Sequence, residues 1–99
     1  MPQVKWSQAA LREVVRLNDF VASKSPDAAR RAIKTIRRGM KALTAHPEIG
    51  RPVEGMLPEF REWVIEFGHG AYVALYHLDG KQVVVLAVRH GREAGYSIF

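Results

Sequence analysis

Four histidines and a cluster of cations near residue 90 are the side chains of this sequence that could do chemistry. The stretch VVVLAVRHGREAGY, residues 83–96, runs from six apolar residues into Arg89, His90, Arg92 and Glu93, with Tyr96 just beyond. An imidazole can serve as a general acid, guanidinium groups can hold a phosphate, and a tyrosine can stack on a base. His90, Arg89, Arg92 and Tyr96 therefore form a candidate catalytic set for cleaving a phosphodiester, with His69 as a second imidazole. For His90 alone, a structural or solvated role is the commoner one. His46, His69, His77 and His90 show no metal-ligand spacing such as His-x-x-x-His, so no metal site is expected. No P-loop, nucleophile elbow or dinucleotide fingerprint occurs, and no cofactor is expected.

The elements that must position these residues are legible in the periodicity. Residues 83–88 suit a strand buried on both faces, at the centre of a sheet. In Gln3–Trp6, Val4 and Trp6 alternate against Gln3 and Lys5, which reads as a brief first strand. Ser7 is a good N-cap for a helix with Ala10, Val14, Leu17 and Val21 at helical spacing, running to about Lys24. Leu11 and Phe20 widen that apolar stripe. Ser25, Pro26 and Asp27 open a second helix as cap, first-turn proline and acid at the positive end of the dipole. Its stripe is Ala29, Ile33, Ile36, Met40 and Leu43. So short a junction implies an antiparallel helical hairpin. Gly39, which costs about 1 kcal/mol against Ala in a helix, marks a close contact. The outer face carries Arg30, Arg31, Lys34, Arg37, Arg38 and Lys41, with no acid between Asp27 and Glu48. That is a solvated face, or a surface for an acidic partner or nucleic acid.

Residues 47–58 include Pro47, Gly50, Pro52, Gly55 and Pro58 and read as a loop. Beyond this loop the pattern is that of strands. Phe60–Phe67 puts Trp63, Ile65 and Phe67 on one face, and Gly68, His69 and Gly70 make a turn. Residues 71–78 and 82–89 are then joined by the hairpin signal of Asp79 and Gly80. With that two-residue loop, Tyr76 faces Val83, Val73 faces Leu86, Tyr72 faces Ala87, and His69 lies opposite His90. Parity places Tyr72, Ala74, Tyr76, Val83, Val85, Ala87 and Arg89 on one face; Val73, Leu75, His77, Val84, Leu86, Val88 and His90 take the other. Both faces are apolar, yet a helical hairpin covers only one. The second is expected to be an exposed apolar patch that a partner protein or a homodimer covers.

Ninety-nine residues of ordinary hydrophobicity make a single domain, 1–99, with one core. The absence of cysteine fits a reducing cytoplasm. No apolar stretch is long enough to span a membrane, and residues 1–24 lack the order of regions in a signal peptide. A net charge of +5 and a pI near 10.0 favour acidic partners.

The order of strand, two helices, proline-rich loop and three antiparallel strands resembles the RelE/ParE family of bacterial toxins. These are the toxic halves of type II toxin–antitoxin, or plasmid stabilisation, modules. The resemblance covers almost the whole chain and rests on AHPEIGRP (45–52), AYVALYHLDG (71–80) and VVVLAVRHGREAGY (83–96). It implies an α+β fold: a short N-terminal strand, an antiparallel helical hairpin, then a three-stranded antiparallel sheet with the hairpin on one side. It also implies a cytoplasmic protein and a cognate antitoxin that wraps it, acidic to suit the charge.

Family members divide by target. RelE-like toxins cleave messenger RNA on the ribosome; ParE-like toxins poison DNA gyrase. The RelE-like site resembles a set of cations on the second and third strands, plus a basic residue and a tyrosine after the last. Here the matching strand positions are Val64, Glu66 and Val73, and only the last part is present: His90 or Arg89, Arg92, and Tyr96. Each missing donor is typically worth about 3 kcal/mol, and Glu66 would repel RNA. The segment AHPEIGRP and the apolar third strand look more ParE-like. The resemblance thus implies growth inhibition by binding DNA gyrase, without chemistry. The enzyme alternative is a metal-independent, ribosome-dependent mRNA endoribonuclease (an mRNA interferase) with His90 as acid and Arg89, Arg92 and Tyr96 assisting. Apart from the resemblance, the second helix leaves open a basic nucleic-acid-binding module.

Overall fold

Each helix starts on a serine. Ser7 follows β1 (Gln3–Trp6), and its hydroxyl oxygen accepts from the Ala10 N–H at 3.0 Å to open α1 (Gln8–Ala22). Ser25 does the same for α2 (Pro26–Ala45), accepting from the Ala28 N–H at 3.2 Å. Pro26 and Asp27 occupy the first turn, where a missing N–H is harmless and a negative charge meets the helix dipole. β2 (Arg51–Pro52), β3 (Phe60–Phe67), β4 (Gly70–Asp79) and β5 (Gln82–His90) complete the chain. This computed structural model describes residues 3–67, 70–80 and 82–91. The candidate residues His69, Arg92 and Tyr96 lie outside the described residues.

The sheet has five strands in the order β1-β5-β4-β3-β2. The expected three-stranded antiparallel sheet is its centre, and the expectation is corrected at both edges. β1 lies parallel to β5, Val4 opposite Val83 and Trp6 opposite Val85. Val4 and Trp6 pack on the core while Gln3 and Lys5 are exposed, so burial of alternate residues pulls the strand in. At the other edge the loop of residues 47–58 lays Arg51 against Glu62 and Pro52 against Arg61. Proline is tolerated there because an edge strand needs no second row of N–H donors.

The helical hairpin covers one face of this sheet. Ala10 and Leu17 from α1 and Ala32, Ile36, Met40 and Leu43 from α2 meet Ile65, Tyr72, Ala74, Tyr76, Val83, Val85 and Val88. Gly39 makes the close contact anticipated for it: a Cβ there would stand 2.7 Å from Ile65 Cγ1, and the Trp63 indole N–H donates to the Gly39 carbonyl at 2.9 Å. Leu11 and Phe20 do not widen the buried stripe of α1. They are 51% and 60% exposed, and Glu13 is buried instead, with Arg16 Nη2 at 2.8 Å from its carboxylate. Among the described residues no helix is long and apolar enough to cross a membrane.

Candidate functional site

The cations of β5 are positioned by a bulge. Asp79 pairs with Gln82, Leu78 with Val83, His77 with Val84 and Tyr76 with Val85. The turn therefore falls one residue later than Asp79 and Gly80, and Gly80 takes the left-handed conformation this requires, φ 59°. Next to Tyr76, Leu75 pairs with Ala87, so Leu86 is an extra residue in β5. Pairing then resumes as Ala74 with Val88, Val73 with Arg89 and Tyr72 with His90. The expected pairs Tyr76–Val83, Val73–Leu86 and Tyr72–Ala87 do not form.

Ser7 holds this bulge as well as capping α1. Its N–H donates to the Val85 carbonyl at 2.8 Å, and its hydroxyl donates to the Leu86 carbonyl at 2.9 Å. One extra residue exchanges the faces of everything beyond it. Val88 and His90 therefore turn toward the helices, and Ala87 and Arg89 to the open face. Val88 is 1% exposed, and the His90 ring meets Tyr72 edge-on with centroids 5.8 Å apart.

On the open face, Glu62, Val64 and Glu66 of β3 lie beside Val73 and Leu75 of β4 and Ala87 and Arg89 of β5. The expected exposed apolar patch is not found here: Val73 is 3%, Leu75 4% and Ala87 0% exposed. The bulge brings small Ala87 and long Arg89 to this side, and a long cationic side chain shields apolar neighbours with its stem. Among the described residues the large exposed hydrophobics lie elsewhere, at Leu11, Val15 and Phe20 on α1 and at Ile49, Met56 and Leu57 in the 47–58 loop.

Glu62 organises the charges of this face. Its carboxylate accepts from Arg51 Nε at 3.2 Å and has Arg89 Nη2 at 3.9 Å. On the three central strands Arg89 is the one Lys or Arg of the open face among the described residues. Consecutive strand residues point to opposite faces, so Arg89 and His90 diverge, the arginine toward Glu62 and the imidazole toward Tyr72. This face keeps Val73, Leu75 and Ala87 buried and sets Glu62 beside Arg89; it does not gather cations around a phosphate. Among the described residues no group of three or more His, Cys, Asp or Glu could hold a metal ion.

A second site of order is the segment AHPEIGRP, which composition alone marks only as loop. The Tyr76 hydroxyl, on a side chain 0% exposed, donates to the Pro47 carbonyl at 2.8 Å and accepts from the Gly50 N–H at 2.9 Å. Gly50 is required by this approach, since a Cβ would stand 2.4 Å from the phenol oxygen. Arg61 Nη1 donates to the carbonyls of Gly50 at 2.8 Å and Glu48 at 3.2 Å. Burial pushes the Tyr76 phenol above its ordinary 10.0, opposed in part by the Gly50 N–H and the Arg61 charge; burial raises Tyr72 too. The pinned segment borders an open hollow of about 660 Å³ lined by His46, Glu48, Ile49 and Leu78. The signal for the clamp was a tyrosine on the core face of β4, whose hydroxyl must find a partner when buried.

Comparison with known proteins places this geometry. Residues 4–95 match the family model described as ParE toxin of type II toxin-antitoxin system, parDE. The chain is 37% identical to Toxin RelE1 of Caulobacter vibrioides over 87 residues, 88% of this chain and 90% of that one. It is 30% identical to Toxin RelE3 of the same organism over 93 residues, 94% of this chain and 98% of that one. Among solved structures it is similar to a chain of the chromosomal ParDE TA system from P. aeruginosa, with a TM-score of 0.73 and 26% identity. That match covers 91% of this chain and 96% of the other.

Proposed function

The chain belongs to the ParE toxin family of type II toxin–antitoxin systems, and from that premise we propose that it arrests growth by binding DNA gyrase until its cognate antitoxin covers it. In this reading it breaks no bond itself. The open face supports it. Where a nuclease of this fold needs phosphate-binding cations, β3 and β4 carry Val64, Glu66 and Val73, and Arg89 stands against the Glu62 carboxylate. Removing one preorganised donor from a transition state typically costs about 3 kcal/mol, so a face without several keeps little phosphodiester chemistry.

The names of the Caulobacter relatives favour a second reading, a ribosome-dependent mRNA endoribonuclease. There His90 would be the acid, with Arg89, Arg92 and Tyr96 assisting. One pair of assays separates the two. Purified protein is added to gyrase with supercoiled plasmid, and separately to a translation reaction with a mapped messenger. Gyrase inhibition with an intact messenger is expected; ribosome-dependent cleavage with gyrase untouched would replace the first reading by the second. In that event His90→Ala should abolish cleavage and spare antitoxin binding.

A further inference from the structure

The formal charge of the chain is concentrated on one helix. Six of its fifteen Lys and Arg residues lie on α2, with Asp27 as the single acid there; the nine cations and nine acids elsewhere cancel. All six, Arg30, Arg31, Lys34, Arg37, Arg38 and Lys41, are exposed. Arg30 pairs with Asp27, and among the described residues no ion pair holds the other five. Arg30, Lys34, Arg37 and Lys41 form a row one helical turn apart, about 16 Å long at 1.5 Å per residue. Arg31 and Arg38 flank it. On the opposite side of the molecule Arg51 and Arg89 meet Glu62, with Glu66 on the same strand, so the open sheet face adds no net positive charge. The excess positive charge of the molecule is thus gathered on α2, and it will meet a polyanion with that helix first.

We infer that the outer face of α2 is a binding surface for the sugar-phosphate backbone of duplex DNA, read without regard to sequence. A duplex offers a regular ladder of phosphates, one per 3.4 Å along each strand, which a straight row of cations matches over several steps. Four of the six cations are arginines, whose planar forks suit phosphate oxygens. Single-stranded nucleic acid is held by stacking bases on aromatic rings, and α2 has no Phe, Tyr, Trp or His. Beside the row a hollow lined by Ala22, Pro26, Ala29 and Ile33 offers apolar contact, so an acidic protein segment is the competing occupant. The inference is independent of the gyrase reading, because it concerns DNA alone.

The test is fluorescence anisotropy of the isolated protein with two labelled duplexes of unrelated sequence, titrated between 50 and 200 mM salt. Wild-type protein should bind both alike and weaken about a hundredfold over that range, as expected for about four neutralised phosphates. The combined variant Lys34→Gln, Arg37→Gln, Lys41→Gln should flatten the log–log salt slope by about three. A variant that removes equal charge elsewhere, Lys5→Gln, Arg12→Gln, Lys24→Gln, should keep most of the slope. If circular dichroism shows the first variant unfolded, Arg37→Gln alone should flatten the slope by about one. The inference is overturned if the wild type does not bind at 50 mM salt, or if both triple variants lose slope equally. It is equally overturned by tighter binding to a single strand of the same length, or to polyglutamate at equal charge concentration.

Discussion

At the scale of the residue, close approaches decide more than polarity does. Gly39 lies inside α2, where alanine would gain about 1 kcal/mol of helix preference. Its Cβ would nonetheless stand 2.7 and 2.8 Å from two carbons of buried Ile65. Gly39→Ala should therefore destabilise, by about 1 kcal/mol net of the propensity gain, read as a lower urea midpoint. This contact was legible, because an unfavourable residue in a good helix asks for a reason. The Tyr76 clamp was not, because its partners are backbone groups 26 and 29 residues away. Tyr76→Phe leaves the Gly50 N–H and the Pro47 carbonyl unpaired and should cost about 1–3 kcal/mol. The same tyrosine predicts a pH dependence. Tyr72 and Tyr76 have folded-state pKa values raised above 10.0 by burial, so their contribution is intact below pH 10. It is lost as the pH rises further, where the unfolded chain ionises first. Stability should fall in alkali above pH 10, and less steeply in Tyr76→Phe.

Elements were legible in proportion to how many residues repeat one signal. Both helices carry a serine cap and four or five apolar residues in phase, and both start where the caps say. β5 carries the opposite case. In VVVLAV every residue is apolar, so either parity gives a buried strand and nothing in the run marks Leu86 as the extra one. The faces of Ala87, Val88, Arg89 and His90 were inverted for that reason. β2 was hidden because two residues are too few for a period. Ser7 joins the two regimes, capping α1 and fixing the bulge with one hydroxyl. Ser7→Ala should cost about 1–2 kcal/mol for the cap alone. It should also raise hydrogen exchange at the end of β5, which the loss of a cap on a distant helix would not.

At the scale of the whole molecule, the surplus apolar surface has moved from where strand parity put it. Leu11 and Val15 lie one turn apart on α1, and the 47–58 loop exposes Met56 and Leu57. A hydrophobic dye should bind there. Its signal should drop in Leu11→Ser, Val15→Ser and stay near wild type in Val64→Ser on the open face. Of the candidate catalytic set, Arg92 and Tyr96 lie outside the described residues, and the directions of Arg89 and His90 were not legible, because a face is a property of pairing and pairing is settled by distant partners. Such pairing also has a cost in time. Ser7 and the strand before it wait for partners in β5, 79 residues downstream. At roughly 5–20 residues per second, a ribosome makes that stretch in about 4–16 s. For that interval Trp6 and the start of α1 have no sheet to rest on. Assembly of the toxin is thus timed by synthesis of its last strand, so an antitoxin already present can reach the nascent chain before the sheet closes.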